Sequence, residues 1–198
     1  MDIKVFNRWT AEGVAVIDMG IQNYISIAPR ILPKTGGRNA KQRFHKSKTF
    51  IIERFMNKIM VAGHRAKKHK ISSGHNGGKS QLAAKIMIKT MEIIENKTKK
   101  NPIQVIVSAV ENACPREEII AIEYGGARYP KAVECSPQRR VDLAVRFMTQ
   151  GAAQKSFNQK KSVEDALADE ILAAYNMSPN SAAVSKKQEL ERQADSSR

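Results

Sequence analysis

The chain has 198 residues and carries 34 Lys and Arg against 19 Asp and Glu, a formal net charge of +15. No apolar run approaches the roughly 20 residues that span a bilayer, the first residues lack a signal-peptide pattern, and two cysteines do not make a disulfide framework. These features predict a cytoplasmic protein with a polyanionic partner, first a nucleic acid and second an anionic membrane surface.

The charge is unevenly distributed along the chain. Residues 162–198 hold four basic and seven acidic residues, a net charge of −3. Residues 1–161 therefore hold 30 basic and 12 acidic residues, a net charge of +18. We expect the polyanion to bind the N-terminal four-fifths of the chain.

Residues 1–48 are interpreted as a basic N-terminal extension. Val14 to Ile17 are compatible with a short strand, and residues 21–27 are mostly apolar. Prolines and the Gly36-Gly37 pair favour a loosely structured approach to the first helix rather than a core element.

The densest basic run covers residues 34–70, where twelve Lys and Arg accompany a single acid, Glu53. Apolar residues at helical spacing predict a helix at about 49–62, with Thr49 as its cap and Gly63 at its end. The basic, glycine-containing loop at 63–78 is interpreted as phosphate-contacting or disordered.

Two further helices are predicted before residue 114. The first covers 79–98, and its apolar face is formed by Leu82, Ala83, Ile86, Met87, Ile93 and Ile94. The second begins at Asn101-Pro102, a cap followed by proline, with Gln104 at capping-box spacing.

The pattern changes to β between Cys114 and Pro137. A β-branched run at 119–122, the Gly125-Gly126 turn pair and a returning strand at 132–134 predict one hairpin arm at 117–135. Paired residues should have numbers that sum to about 251, so Cys114 and Cys135 would lie nearly opposite each other. We favour free thiols because the expected compartment is reducing, and a disulfide between the two cysteines is the alternative.

Helical patterns return after the arm. One helix should run from Ser136-Pro137 to Gly151, and Arg139-Arg140 in its first turn suggest a compensating external anion. A polar linker at 152–161 should precede a helix capped by Ser162. Residues 181–198 are either a last helix or a mobile tail. The predicted fold is mainly α, a bundle of about six helices with one projecting β-hairpin.

No catalytic site or cofactor is indicated. Gly74 to Ser80 resembles a phosphate-binding loop but has three residues where that motif needs four, and no strand precedes it. The cysteines lack zinc-ligand spacing, so four histidines within 45–75 are interpreted as part of a basic surface. We expect an RNA-binding protein rather than an enzyme; the alternatives are a P-loop-like nucleotide hydrolase and a DNA-compacting protein.

Several segments, in order, resemble small-subunit ribosomal protein seven. They include Asn101–Asn112, Pro115–Glu117, the Gly125-Gly126 tip, Val133–Arg140, Ser162–Tyr175 and Lys186–Arg198. Lys4–Trp9 and Ile21–Tyr24 are similar to the archaeal and eukaryotic branch of that family.

The resemblance implies a primary binder of the 3′ major domain of small-subunit rRNA that nucleates assembly of the subunit head. It implies an arm near the exit-site tRNA and the mRNA path, and neighbours such as ribosomal proteins nine and eleven. It also implies an rRNA-binding domain at 49–180, followed by the segment 181–198. From the basic run and the resemblance together, the candidate RNA-binding residues are Lys34, Arg38, Lys41, Arg43, Lys46, Lys48, Lys67, Lys68, Lys70, Lys79, Arg116, Arg128, Tyr129, Lys131, Arg139 and Arg140.

Overall fold

The computed structural model of the protein describes residues 3–62 and 76–198. Within these ranges six α-helices and one antiparallel hairpin follow two short 3-10 helices at Gln22–Tyr24 and His45–Lys48, confirming the predicted fold class. The elements are α1 (Ile51–Ile59), α2 (Ser80–Thr98), α3 (Pro102–Ala113), β1 (Glu117–Tyr124), β2 (Ala127–Glu134), α4 (Pro137–Ser156), α5 (Val163–Tyr175) and α6 (Ala182–Asp195). No helix in this part of the chain is long and apolar enough to cross a membrane.

The hydrogen bonds at the helix starts test the helix caps that were predicted from the sequence. The Asn101 side chain accepts a hydrogen bond from the Ile103 N–H at 3.0 Å, and Ser162 Oγ accepts one from the Asp165 N–H at 3.1 Å, so both predicted caps are confirmed. The cap predicted at Thr49 is wrong: α1 begins one residue later, and Thr49 Oγ1 donates to the His45 carbonyl instead. The helix end predicted at Gly63 is also wrong, because α1 ends at Ile59 and residues 60–62 form a turn.

The N-terminal segment is part of the core, which corrects the expectation of a loose approach. Within this segment, residues 3–32, five side chains are buried, and no strand forms at 14–17. The segment is held on α3: Gln104 bonds both the N–H and the carbonyl of Ala15, at 3.0 and 3.2 Å, instead of closing a capping box. Its buried side chains are those of Val5, Trp9, Val16, Ile21 and Ile25.

Helix α4 passes through Gly151 and continues to Ser156, so the helix end predicted at Gly151 is wrong, as is the linker start at 152. Gly151 is buried against the start of α6, where a Cβ on Gly151 would lie 2.7 Å from Ala182 Cβ. The glycine therefore permits close packing of two helices rather than ending one. In α2, Ala83, Ile86, Met87 and Ile94 are buried as predicted, but Leu82 is exposed.

The hairpin has the predicted register, with pairs from Glu117–Glu134 to Tyr124–Ala127. Gly125 and Gly126 have φ values of +58° and +82°, as a two-residue turn with a left-handed backbone requires. Cys114 and Cys135 are both buried free thiols, which confirms the favoured alternative. Burial raises the pKa of Cys114 to about 12 and that of Cys135 to about 11, so both thiols are protonated at neutral pH.

Candidate nucleic-acid interface

Residues 34–48, the basic segment, run over the surface from the N-terminal segment to α1. Gly36 and Gly37 have positive φ values of +62° and +74°, so the chain turns where a side chain would be strained. Five cations of the segment are exposed, and none of them has an ion-pair partner among the described residues. They are Lys34, Arg38, Lys41, Arg43 and Lys48.

Phe44 is a candidate site residue that the sequence analysis missed. Its backbone is left-handed, with φ +57°, and its ring is 60% exposed. The Arg43 guanidinium carbon lies 5.8 Å from the ring centroid, a cation–π geometry. An exposed aromatic ring beside a cation is a stacking platform for a nucleic-acid base. The sequence feature that could have identified Phe44 is its position as an aromatic residue within a run of basic residues.

Lys46 anchors the basic segment to the helical body. Its Nζ lies 2.8 Å from Asp142 Oδ2 on α4, and the buried Arg54 donates to Asp142 Oδ1 at 3.0 Å. Burial would raise the pKa of Asp142, but the hydrogen bonds and charges of Lys46 and Arg54 outweigh it and lower that pKa. Because Lys46 already has a carboxylate partner, it offers less free charge than its neighbours.

A groove of about 430 Å³ separates the basic segment from the first half of α4. Phe44 and Lys46 line one side, while Arg139 and Arg146 line the other. The fold thus brings together residues almost 100 positions apart in sequence. Arg146 is exposed and was missed, because a single Arg in a helix resembles any solvated surface residue.

The two arginines at the start of α4 have internal partners. Arg139 Nε lies 2.6 Å from Glu118 Oε1 on β1, and Arg140 Nη2 lies 2.8 Å from Asp18 Oδ2. The carboxylates that compensate these cations thus come from the chain itself. The Arg139 side chain remains 53% exposed, but Arg140 is only 12% exposed. Arg139 is therefore much better placed than Arg140 to contact a phosphate.

The arm divides its candidate residues between two faces. Tyr129 pairs with Ile122 and Lys131 with Ile120, so these four side chains share one face, and all four are exposed. Arg128 lies on the opposite face, 3.5 Å from Glu123. Tyr129 and Lys131 thus form a combined aromatic and cationic surface, whereas Arg128 acts separately.

Arg116 lies at the base of the arm in surroundings of mixed charge. Its backbone N–H donates to Glu191 Oε1 at 3.0 Å, and it shares a cleft with Lys187, Glu191 and Arg198. Three acids line the same cleft, so Arg116 is not part of the basic face around residues 34–48. Its place is between the arm and α6.

The remaining candidates lie near the start of α2 or outside the described residues. Lys79 is exposed immediately before that helix. Lys67, Lys68 and Lys70, with three of the four histidines and the first part of the loop motif, fall in 63–75 and are not described. Within the described ranges, no group of three or more His, Cys, Asp or Glu could hold a metal ion.

Exposed cations, a projecting aromatic side chain and a basic groove define a nucleic-acid-binding helical protein. Comparison with known proteins gives its family: the model for ribosomal protein S7p/S5e matches residues 21–198. The chain is 54% identical over 198 residues to small ribosomal subunit protein uS7 of Nanoarchaeum equitans, covering 100% of both chains. It is 48% identical over 196 residues to that of Methanosphaera stadtmanae, covering 99% of both.

The chain therefore belongs to the ribosomal protein S7p/S5e family, and the archaeal relatives agree with the predicted branch. Proteins of this family are structural constituents of the ribosome and not enzymes. This assignment overturns the nucleotide-hydrolase alternative.

Proposed function

We propose that the protein, as a structural constituent of the small ribosomal subunit, binds the 3′ major domain of small-subunit rRNA directly and nucleates assembly of the subunit head. The observation that carries the proposal is the basic segment, where five exposed cations have no carboxylate partner among the described residues. Phosphate contacts from such cations supply affinity, and they make it depend on salt.

In this proposal the contact surface extends from the basic segment across the groove to Arg139 and Arg146. Phe44 supplies a ring on which an unpaired base stacks, the mode by which proteins commonly recognise RNA that is not in a duplex. Residues 1–48 and 49–180 both contribute to this surface, while the segment 181–198 holds the base of the arm.

The arm has a different task, which is to reach the exit-site tRNA and the mRNA path. Its exposed face carries Tyr129 and Lys131, but four glutamates along its length reduce its attraction for RNA. It therefore positions and probes more than it supplies binding energy. Ribosomal proteins nine and eleven are the proposed protein neighbours, and the cytoplasm is the proposed compartment.

A hydroxyl-radical footprint of the protein on the isolated 3′ major domain, at 0.15 M salt, tests the proposal. We expect backbone protection in that domain, competed away by unlabelled rRNA but not by an equal mass of duplex DNA. Equal competition by duplex DNA would instead favour the DNA-compacting alternative. Protection confined to another rRNA domain would refute the assignment to the head.

A further inference from the structure

Glu118 is one of the four glutamates of the arm, and it binds a residue of α4. It lies on β1 opposite Val133, and its side chain is only 17% exposed. Both of its carboxylate oxygens contact the Arg139 guanidinium: Oε1 lies 2.6 Å from Nε, and Oε2 accepts from Nη2 at 2.7 Å. A carboxylate that binds a guanidinium through two parallel bonds fixes both its position and its plane.

Arg139 has this carboxylate along one edge and the groove beside it. Arg139 lines the groove of about 430 Å³ between the basic segment and α4, whereas Glu118 does not. Two of the five guanidinium N–H groups donate to Glu118, and the Arg139 side chain is still 53% exposed. The ion pair therefore holds Arg139 in one orientation and leaves its other N–H groups available to a ligand.

The charges of the groove indicate that this ligand is an anion. Three cations line it, Lys46, Arg139 and Arg146. Asp142 is the one acid among its described lining residues, and Lys46 and Arg54 already bind that carboxylate. An RNA phosphate has the charge and the acceptor oxygens that such arginines bind.

A carboxylate beside a phosphate site has two opposing effects on affinity. Its charge repels the phosphate, although water and salt screen this repulsion at an exposed surface. Its hydrogen bonds also order a long side chain before the ligand arrives, so that less conformational entropy is lost on binding. Because Glu118 does not line the groove, we expect its ordering of Arg139 to outweigh its repulsion of the phosphate.

We propose that Glu118 is a positioning residue for RNA binding, which fixes the Arg139 guanidinium so that its remaining N–H groups donate to an RNA phosphate in the groove. The inference rests on the proposed RNA binding. It adds that one acid of the arm raises the affinity for RNA, although its charge alone would lower it.

Glu118→Gln tests the sign of this effect. The side chain keeps its shape, but an NH₂ group replaces one carboxylate oxygen and opposes an N–H of Arg139. We expect rRNA affinity, measured by filter binding at about 0.15 M salt, to fall about threefold even though a negative charge is removed. Glu134→Gln, the same change at an exposed site of the arm base, is the matched control and should leave affinity unchanged or raise it by less than about twofold. An affinity for Glu118→Gln equal to or above that of the wild type overturns the proposal.

Two further backgrounds show whether Glu118 acts through Arg139. In R139A the effect should reverse, because Glu118 is then only a negative charge near the phosphate and its neutralisation raises affinity. In R128A/Y129A/K131A, which lacks the candidate RNA contacts of the arm, the loss of about threefold should persist. A loss that persists in R139A overturns the proposal. So does a loss that vanishes in the arm variant, because Glu118 would then act by aiming the arm.

A short oligonucleotide separates failure of this inference from failure of the proposed function. In nitrogen–proton NMR spectra of the full chain, the Arg139 Nε–H signal, assigned by its absence from R139A, should shift when hexauridylate is added. Glu118→Gln should need at least about threefold more hexauridylate for the same shift. No shift in the wild type, or equal titrations for both proteins, overturns the proposal even if rRNA binds. The expected titrations without any rRNA footprint would refute the proposed rRNA binding alone. Circular dichroism at the assay temperature shows that each variant is folded.

Discussion

In the basic segment, five exposed cations have no carboxylate partner in the described part of the chain, whereas around α5 and α6 most charges are paired. Asp169 lies 2.7 Å from Lys97 and 2.5 Å from Lys161. Glu170 is fully buried and accepts from Lys155 Nζ at 2.6 Å and Ser181 Oγ at 2.7 Å. Charge in the first region is available to a ligand, and charge in the second is used by the fold.

The comparison shows that the net charge of a region is a weaker guide to its role than the fraction of its charges that are already satisfied. The arm base belongs to the second type, because Glu117 pairs with Arg198 and Glu118 with Arg139. Arg116 and Arg140 were candidates from the resemblance, and Arg140 also from its place in the first turn of a helix. The structure places both near carboxylates.

The largest effect should come from Glu170→Ala. The change leaves Ser181, the Ala183 N–H and Lys155 without their buried acceptor, so we expect a loss of about 3 kcal/mol in the free energy of unfolding. Urea denaturation measures this loss. The rRNA affinity of the folded fraction should not change. A variant that keeps its stability but loses rRNA affinity would contradict the assignment of Glu170 to the fold rather than to binding.

The converse variant neutralises four cations of the basic segment, K34A/R38A/K41A/R43A. We expect rRNA affinity to fall about 100-fold at 0.15 M salt and the log–log salt slope to flatten by about 3, since each phosphate contact contributes roughly 0.7–0.9. Stability should change by less than about 0.5 kcal/mol, because all four are exposed. Filter binding across a salt series measures the slope.

The matched control is K85A/K99A/K160A/R192A, which removes four exposed cations elsewhere. If the control flattens the slope equally, net charge rather than the basic segment governs binding.

Gly151→Ala should destabilise the protein by about 1–3 kcal/mol, because the new Cβ would lie 2.7 Å from Ala182 Cβ and force α4 and α6 apart. Thermal unfolding measures the change. Gly151→Ala with Ala182→Gly is the compensating pair and should recover part of the loss. A neutral single variant would indicate that the packing relaxes without cost.

The R139A/R140A double variant should weaken rRNA binding and flatten its salt slope, and the single variants should separate two roles. R139A is expected to reduce the slope by about 1, since Arg139 is half exposed. R140A should lower stability by about 1 kcal/mol with little change in slope, because it removes the partner of Asp18. A flatter salt slope for R140A, or a loss of stability without a change in slope for R139A, would contradict these roles.

The smallest effect concerns pH. Although burial raises them, hydrogen bonds and nearby cations lower the pKa values of Asp18, Asp142 and Asp169 in the folded state. Their stabilisation is therefore present above the unfolded pKa of about 3.9 and is lost as pH falls through the lower folded values. Unfolding free energy should be nearly flat from pH 7 to 5 and fall below about pH 4. D142N should weaken that acid dependence, whereas D195N, at an exposed site, should not.

Elements with a repeating local pattern were predictable from the sequence. The caps at Asn101 and Ser162 and the Gly125-Gly126 turn act over a few residues, so the sequence alone located these two helix starts and the register of the arm. The extent of α4 was not predictable, because the reason for Gly151 is Ala182 on another helix.

The same limit applies to the N-terminal segment and the candidate site. Val5, Trp9 and Val16 have no helical or strand periodicity, and their burial depends on packing against distant helices. Composition indicated the basic run. It could not indicate that Lys46 and Arg140 are paired or that Phe44 is exposed beside Arg43.

The Arg116 N–H at the base of the arm bonds to Glu191, a residue that is synthesised much later than the arm. The ribosome synthesises residues 117–134 before residues 182–195, so the arm exists for a time without the helix that holds its base. The Glu118–Arg139 pair with α4 can form in this interval, but the contacts of the arm base with Glu191 and Arg198 form only after the C-terminal segment has been made. A nascent chain lacking that segment would carry the complete basic segment but an arm held at its base by α4 alone, so the capacity to bind rRNA would precede the final placement of the arm.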